Sequence, residues 1–113
     1  MPRPAMGKDD LLQNLRDLET ALGAEEVENL VAQQDQATRQ RFVAVREHVA
    51  VVMGQLENAQ LADIADQLDL LSPQLNDGIA SLKHELSSID NAIAIVNTAS
   101  AVLSLAARVA AVV

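Results

Sequence analysis

The two histidines, His48 and His84, are the side chains best suited to proton transfer or nitrogen ligation at neutral pH. Each has a glutamate beside it in the chain, Glu47 and Glu85 respectively. Because adjacent residues on a helix point about 100° apart, neither pair forms a chelate by itself. The sequence also has no Glu-x-x-His motif of the kind that binds metal in di-iron bundles. We therefore interpret both histidines as helix-surface residues.

Three carboxylates, Asp63, Asp66 and Asp69, are spaced by three residues and would share one broad helix face. Oxygen ligands attract Ca²⁺ or Mg²⁺, but such sites draw their ligands from loops or from several elements. Apolar residues alternate with these aspartates, which is typical of an amphipathic helix with a solvated acidic face. The sequence contains no cysteine, no glycine-rich phosphate loop and no nucleophile elbow. We predict a protein that is not an enzyme, with no catalytic residue, cofactor or metal ligand.

The net charge argues against two classes of binding partner. The formal net charge is −8, which argues against nucleic acid because that partner requires clustered lysines and arginines. It also argues against electrostatic docking on an anionic membrane. Arg39, Arg41 and Arg46 form the one basic cluster, between acidic stretches. Such a cluster suits charge-complementary packing between copies or onto a partner, although solubility and local pairing explain it as well.

The apolar spacing predicts an all-α fold. Apolar residues recur every three or four positions along the chain. Because the sequence has a single aromatic residue, the core must be built from Leu, Ile, Val and Ala. Ser72-Pro73 predicts the end of one helix and the start of the next, because proline suits the first helical position. We expect a short helix followed by a long antiparallel helical hairpin, bundle or coiled-coil-like, in an oligomeric protein. The predicted segments are a disordered arm (1–8) and a single helical domain (9–113), with helices at 10–22, 25–71 and 73–111.

Two stretches of the long helices carry the heptad spacing that is typical of helix pairing. The heptad spacing weakens through 33–40, where the helix could break or cross solvent. Near Gly54 or Asn58 the spacing changes register, as it does at a stutter or a kink. The predicted interface consists of Phe42, Val45, Val49, Val52, Leu56, Ile79, Leu82, Leu86, Ile89, Ile93, Val96, Ala99 and Leu103.

The segment 91–113 differs from the rest because residues 91–107 carry no charge. On a helical wheel it is apolar around most of its circumference, so it must be covered on several sides. Its narrow polar stripe consists of Asp90, Asn97, Ser104 and Arg108. The segment is interpreted as the buried helix of a soluble bundle or oligomer, with a membrane-inserting helix as the alternative. Asn97 and Arg108 count against insertion, since each is costly in hydrocarbon unless paired.

These features predict a helical assembly or adaptor protein that self-associates or binds a protein partner through apolar helix faces. The alternative is a membrane-active protein, pore-forming or tail-anchored, that inserts residues 91–113. No nucleic-acid partner and no small-molecule substrate are expected. Residues 1–10 lack the apolar segment of a signal peptide, so we expect a cytoplasmic protein. Membrane association, or export without a cleavable signal, remains open.

Overall fold

The computed structural model describes residues 7–111, and these form five α-helices without a strand. The all-α prediction is therefore confirmed. The helices are α1 Lys8–Leu22, α2 Glu25–Ala32, α3 Gln36–Asn58, α4 Leu61–Ser88 and α5 Ala92–Ala110. Most of the predicted arm, residues 1–6, lies outside the described residues, and Lys8 already belongs to α1.

The helix predicted for 25–71 is divided into α2, α3 and the first part of α4. The first break follows Ala32, in the polar stretch where the apolar spacing weakens. Asp35 then caps α3, since its side chain accepts a hydrogen bond from the Thr38 amide at 2.8 Å. The second break comes after Asn58, where the apolar spacing changes register. Both irregularities in the sequence pattern therefore mark real helix ends.

The helix boundary predicted at Ser72-Pro73 is wrong, because α4 runs through Pro73 without a break. A proline inside a helix leaves the carbonyl four residues earlier, here that of Asp69, without its usual donor. Pro73 and Asp69 are both exposed, so water can reach this part of the helix. The apolar residues Leu71 and Leu75, on either side of the proline, are buried in one continuous face. The free energy gained by burying this apolar face outweighs the local tendency of Ser72-Pro73 to end the helix.

The helix predicted for 73–111 is interrupted at residues 89–91, between α4 and α5. Ile89 ends α4 in the left-handed region, with φ 47° and ψ 47°. It is the one non-glycine residue with positive φ among the described residues, and a β-branched side chain is strained there. Asn91 then caps α5 by accepting a hydrogen bond from the Ala94 amide at 3.0 Å.

Helix α5 packs mainly against α4 and α3. To the core it contributes Ile95, Val96, Ala99, Leu103 and further buried residues of its inner face. The inner face of the apolar segment is thus covered within one chain. Ten of the predicted interface residues are buried in this core: Phe42, Val45, Val49, Val52, Leu56, Ile79, Leu82, Val96, Ala99 and Leu103.

The other three predicted interface residues are more accessible. Leu86 and Ile89 are half-buried against the core, and Ile93 is 50% exposed. Ile93 lies outside the core because α5 restarts at Ala92 with a new helical phase. A continuous helix would have carried the spacing of Leu82 and Leu86 onto Ile93.

Polar contacts connect the helices at their edges. Arg46 of α3 forms an ion pair with Glu28 of α2 at 3.1 Å, and Arg41 donates a hydrogen bond to the Asn97 side chain of α5 at 2.6 Å. The Lys8 ammonium donates to the carbonyl of Ala59 at 2.7 Å, at the carboxyl end of α3. A cation is favourable there because the last carbonyls of a helix carry partial negative charge.

Candidate functional site

The described residues form an apolar cleft between α1 and α4, with α5 beneath it. Its volume is about 290 Å³. Helices α1 and α4 contact each other sparsely, since both rest mainly on other helices. The apolar lining consists of Leu15, Leu18 and Ala21 from α1, Ile79, Leu82 and Leu86 from α4, and Val102 from α5.

The cleft follows from the helical spacing of its lining residues. Leu15 and Leu18 lie one turn apart on α1, and Ile79, Leu82 and Leu86 recur at three and four residues on α4. These two rows face the same space and leave it unfilled. Protein interiors are normally close-packed, so an unfilled apolar space of this size can admit side chains of another molecule.

The rim of the cleft is polar on both sides. Asn14 and Asp17 line it on α1, and Lys83 and Ser87 line it on α4. Within α1, Asp17 accepts a hydrogen bond from the Gln13 side chain at 3.0 Å. An apolar floor with a charged rim is suited to binding an amphipathic segment.

Close approach of α4 and α5 forms the floor. A Cβ atom placed on Gly78 would lie 3.1 Å from Val102 Cγ2, which is tighter than an ordinary van der Waals contact. Glycine at this position lets the two helices come together and brings Val102 up to the cleft. A larger residue at position 78 would push α5 away from α4.

The residues singled out for chemistry do not come together. His48 and His84 lie on different helices, and both are exposed. Asp63, Asp66 and Asp69 are exposed along α4, as the solvated-face interpretation predicts. Within the described part of the chain, no group of three or more His, Cys, Asp or Glu residues could hold a metal ion.

The predicted polar stripe lies on the outer surface of the fold. Asn97, Ser104 and Arg108 are exposed on α5, and Asp90 is exposed in the connection before it. Asn97 has a side-chain partner on another helix, Arg41 of α3. In this arrangement the stripe faces solvent at the edge of the bundle, and the buried residues of α5 form its inner face.

The pKa of Asp35 lies below the ordinary value of an aspartate. The main cause is hydrogen bonding from the Thr38 side chain, followed by the Thr38 amide; nearby Arg39 adds a smaller effect. These interactions favour the ionised carboxylate. The effect belongs to the start of α3 and has no connection with the cleft.

Part of the cleft could be found from the sequence, since Ile79, Leu82 and Leu86 belong to the predicted interface. Its α1 side was missed, because nothing in the spacing of Leu15 and Leu18 shows how far α1 lies from α4. Comparison of the chain with family models, with curated proteins and with solved structures finds no match.

Proposed function

We propose that this protein is a non-catalytic helical adaptor that binds an amphipathic helix of a partner protein in the α1–α4 cleft. The cleft is the observation that carries this proposal. Helices bind to such grooves by inserting apolar side chains from successive turns. The proposal includes an antiparallel hairpin of α4 and α5, supported by the short connection at 89–91 and by the contact of Gly78 with Val102.

The size of the cleft favours side chains over a whole small molecule. Pockets that enclose small molecules typically measure about 300–1,000 Å³, and the volume of this cleft is just below that range. It is also bounded along its length by two helices, so a third helix can lie between them. Two or three neighbouring apolar side chains of a partner would occupy the space above Val102.

The rim charges indicate which residues the partner carries beside its apolar side chains. On α1 the rim carries the exposed Asp17, and on α4 it carries the exposed Lys83. A helix with a basic residue on its α1 side and an acidic or neutral one opposite Lys83 complements this arrangement. Because these charges are exposed, they contribute to orientation more than to affinity.

Filling the cleft tests the proposal. Ala21 is half-buried in the lining, so Ala21→Phe would place a ring in the space without changing the net charge. The probe is a synthetic Leu/Lys amphipathic helix of about four turns, with fluorescence anisotropy as the measurement. We expect Ala21→Phe to weaken binding at least about tenfold, which corresponds to roughly 1.4 kcal/mol.

Two controls separate cleft binding from general attraction of a basic peptide to an acidic protein. Ala62→Phe adds the same ring at an exposed position of α4 that does not line the cleft, and it should leave the affinity unchanged. A scrambled peptide of the same composition should bind weakly. Equal binding of the scrambled peptide, or no effect of Ala21→Phe in a folded protein, would contradict the proposal.

Membrane insertion through α5 is a second candidate function, supported by composition. Among the described residues, α5 is the one helix long and apolar enough to cross a bilayer. Insertion would require α5 to leave α3 and α4, since its inner face is buried against them. Flotation with phosphatidylcholine vesicles distinguishes the two functions: the adaptor stays unbound, whereas an inserting protein floats with the lipid.

A further inference from the structure

The outer face of α3 combines exposed apolar side chains with small residues. Val43 is 53% exposed and Val51 is 55% exposed, and the exposed Ala50 lies between them in the chain. A Cβ atom added to Gly54 would meet nothing within 4 Å, so that position is open as well. The small residues at positions 50 and 54 allow another helix to approach this part of the face closely.

Charges flank this apolar face in an ordered way. Arg39 lies one turn before Val43 and Glu47 lies one turn after it, both exposed. Arg41 and Arg46 of the same basic cluster are engaged within the chain, with Asn97 and Glu28 respectively.

The two flanking charges remain available for a partner. Arg39 contributes only a minor part of the lowered pKa of Asp35 and forms no ion pair among the described residues. Glu47 forms no hydrogen bond or ion pair among the described residues. Arg39 and Glu47 are therefore opposite charges on one surface stripe, separated by a valine.

We propose that this face binds the same face of a second copy, with the two α3 helices antiparallel about a twofold axis at Val43. The order Arg39, Val43, Glu47 is self-complementary under such an axis. Each residue lies about 6 Å from the next along the helix, so Arg39 of one copy comes level with Glu47 of the other. The pair then has two ion pairs on either side of a Val43–Val43 contact.

The surface shape around Val43 is consistent with this pairing. Shallow depressions lie on both sides of its side chain, one lined by Gln36, Arg39 and Gln40, the other by Glu19, Arg46 and Glu47. A ridge between two depressions can interdigitate with an identical ridge and depression on a second helix. The inner face of α3 is occupied by α5, α1 and α2, so only the outer face is available.

This inference does not depend on the α1–α4 cleft, because the residues that line the two surfaces are different. A dimer formed through α3 would carry two separate clefts. Ala21→Phe should therefore leave dimerisation unchanged. If the native chain dimerises but does not bind the Leu/Lys peptide, the cleft proposal has failed. If it binds the peptide but does not dimerise, the α3 proposal has failed.

Charge reversal in the full-length protein tests the inference, with sedimentation equilibrium at about 0.15 M salt as the measurement. At this ionic strength the repulsion between two copies of charge −8 is largely screened beyond about 8 Å. Arg39→Glu replaces each intermolecular ion pair by two facing carboxylates, and Glu47→Arg replaces it by two facing guanidinium groups. Each single variant should dimerise at least about tenfold more weakly than the native chain.

The decisive result comes from combining the two changes. An equimolar mixture of the Arg39→Glu and Glu47→Arg proteins should form a heterodimer. The glutamate introduced at position 39 of one protein then faces the arginine introduced at position 47 of the other, and the native Glu47 and Arg39 form the second ion pair. The double variant R39E/E47R should dimerise again as a homodimer. Lys83→Glu and Asp69→Arg carry the same charge changes at exposed positions of α4, and both should leave the dimerisation constant unchanged. A monomeric native chain, dimers in both single variants, or failure of the mixture would overturn the inference.

Discussion

At the scale of single residues, Ile89 carries the clearest conformational strain. Its left-handed backbone costs a non-glycine residue roughly 1–2 kcal/mol, and it lies where α4 must end and α5 begin. Ile89→Ala and Ile89→Gly remove the same half-buried side chain, but only glycine relieves the strain. We expect the glycine variant to be more stable than the alanine variant by about 1 kcal/mol in urea unfolding. Inside a helix, alanine is ordinarily more stabilising than glycine. If the alanine variant is as stable as the glycine variant or more stable, the left-handed backbone at position 89 is contradicted.

Asp35 is the residue from which a pH dependence of stability is expected. Its pKa is lowered in the folded chain by the Thr38 hydrogen bonds, so folding favours the ionised form. That stabilisation is fully present above the ordinary value of 3.8 and is lost as the pH falls through the lower folded value. Asp35→Asn keeps a capping oxygen but cannot ionise. The native chain should have the higher melting temperature at neutral pH, and the difference should vanish in acid. A difference that is independent of pH would contradict this cause.

At the scale of helices, the contact between α4 and α5 depends on the small residue at position 78. Gly78→Leu would force a side chain into Val102, and such overpacking typically costs about 1–3 kcal/mol. Gly54→Leu makes the same change inside α3, at a position open to solvent. It should stabilise the fold by up to about 1 kcal/mol, because leucine is the better helix former. Thermal unfolding of the two variants should therefore shift in opposite directions, and a shared direction would contradict the close approach.

The helices also show what the sequence could and could not predict. The buried side of α3 was predictable because Phe42, Val45 and Val49 keep one phase over several turns. The local stop signal at Pro73 was misleading, since the continuous apolar face on both sides of it determined the helix. The real break at 89–91 was hidden, because Ile89 and Ile93 appear to continue the spacing across it. Positive φ at an isoleucine has no local sequence signal, so only the packing of α5 on α4 explains it.

At the scale of the whole molecule, burial of α5 determines which surfaces are left for function. Once α3 and α4 cover its inner face, most of the predicted interface residues are used inside the chain. Two apolar surfaces that remain accessible are the cleft between α1 and α4 and the outer face of α3. Neither surface could be predicted from periodicity alone, because one depends on the separation of two helices and the other on which helix lies at the edge of the bundle. The two proposals assign one partner to each surface: a foreign amphipathic helix to the cleft, a second copy to α3.

The most direct test of the central claim is a methyl NMR titration of the full-length protein with the Leu/Lys amphipathic peptide. The leucine and valine methyl groups report on both surfaces in one experiment. Our account predicts that the shifts concentrate on Leu15, Leu18, Leu82, Leu86 and Val102, which surround the cleft. Val43 and Val51, on the outer face of α3, should be unaffected. Shifts confined to Val43 and Val51, or an absence of shifts at saturating peptide, would contradict the assignment of the cleft as the binding site.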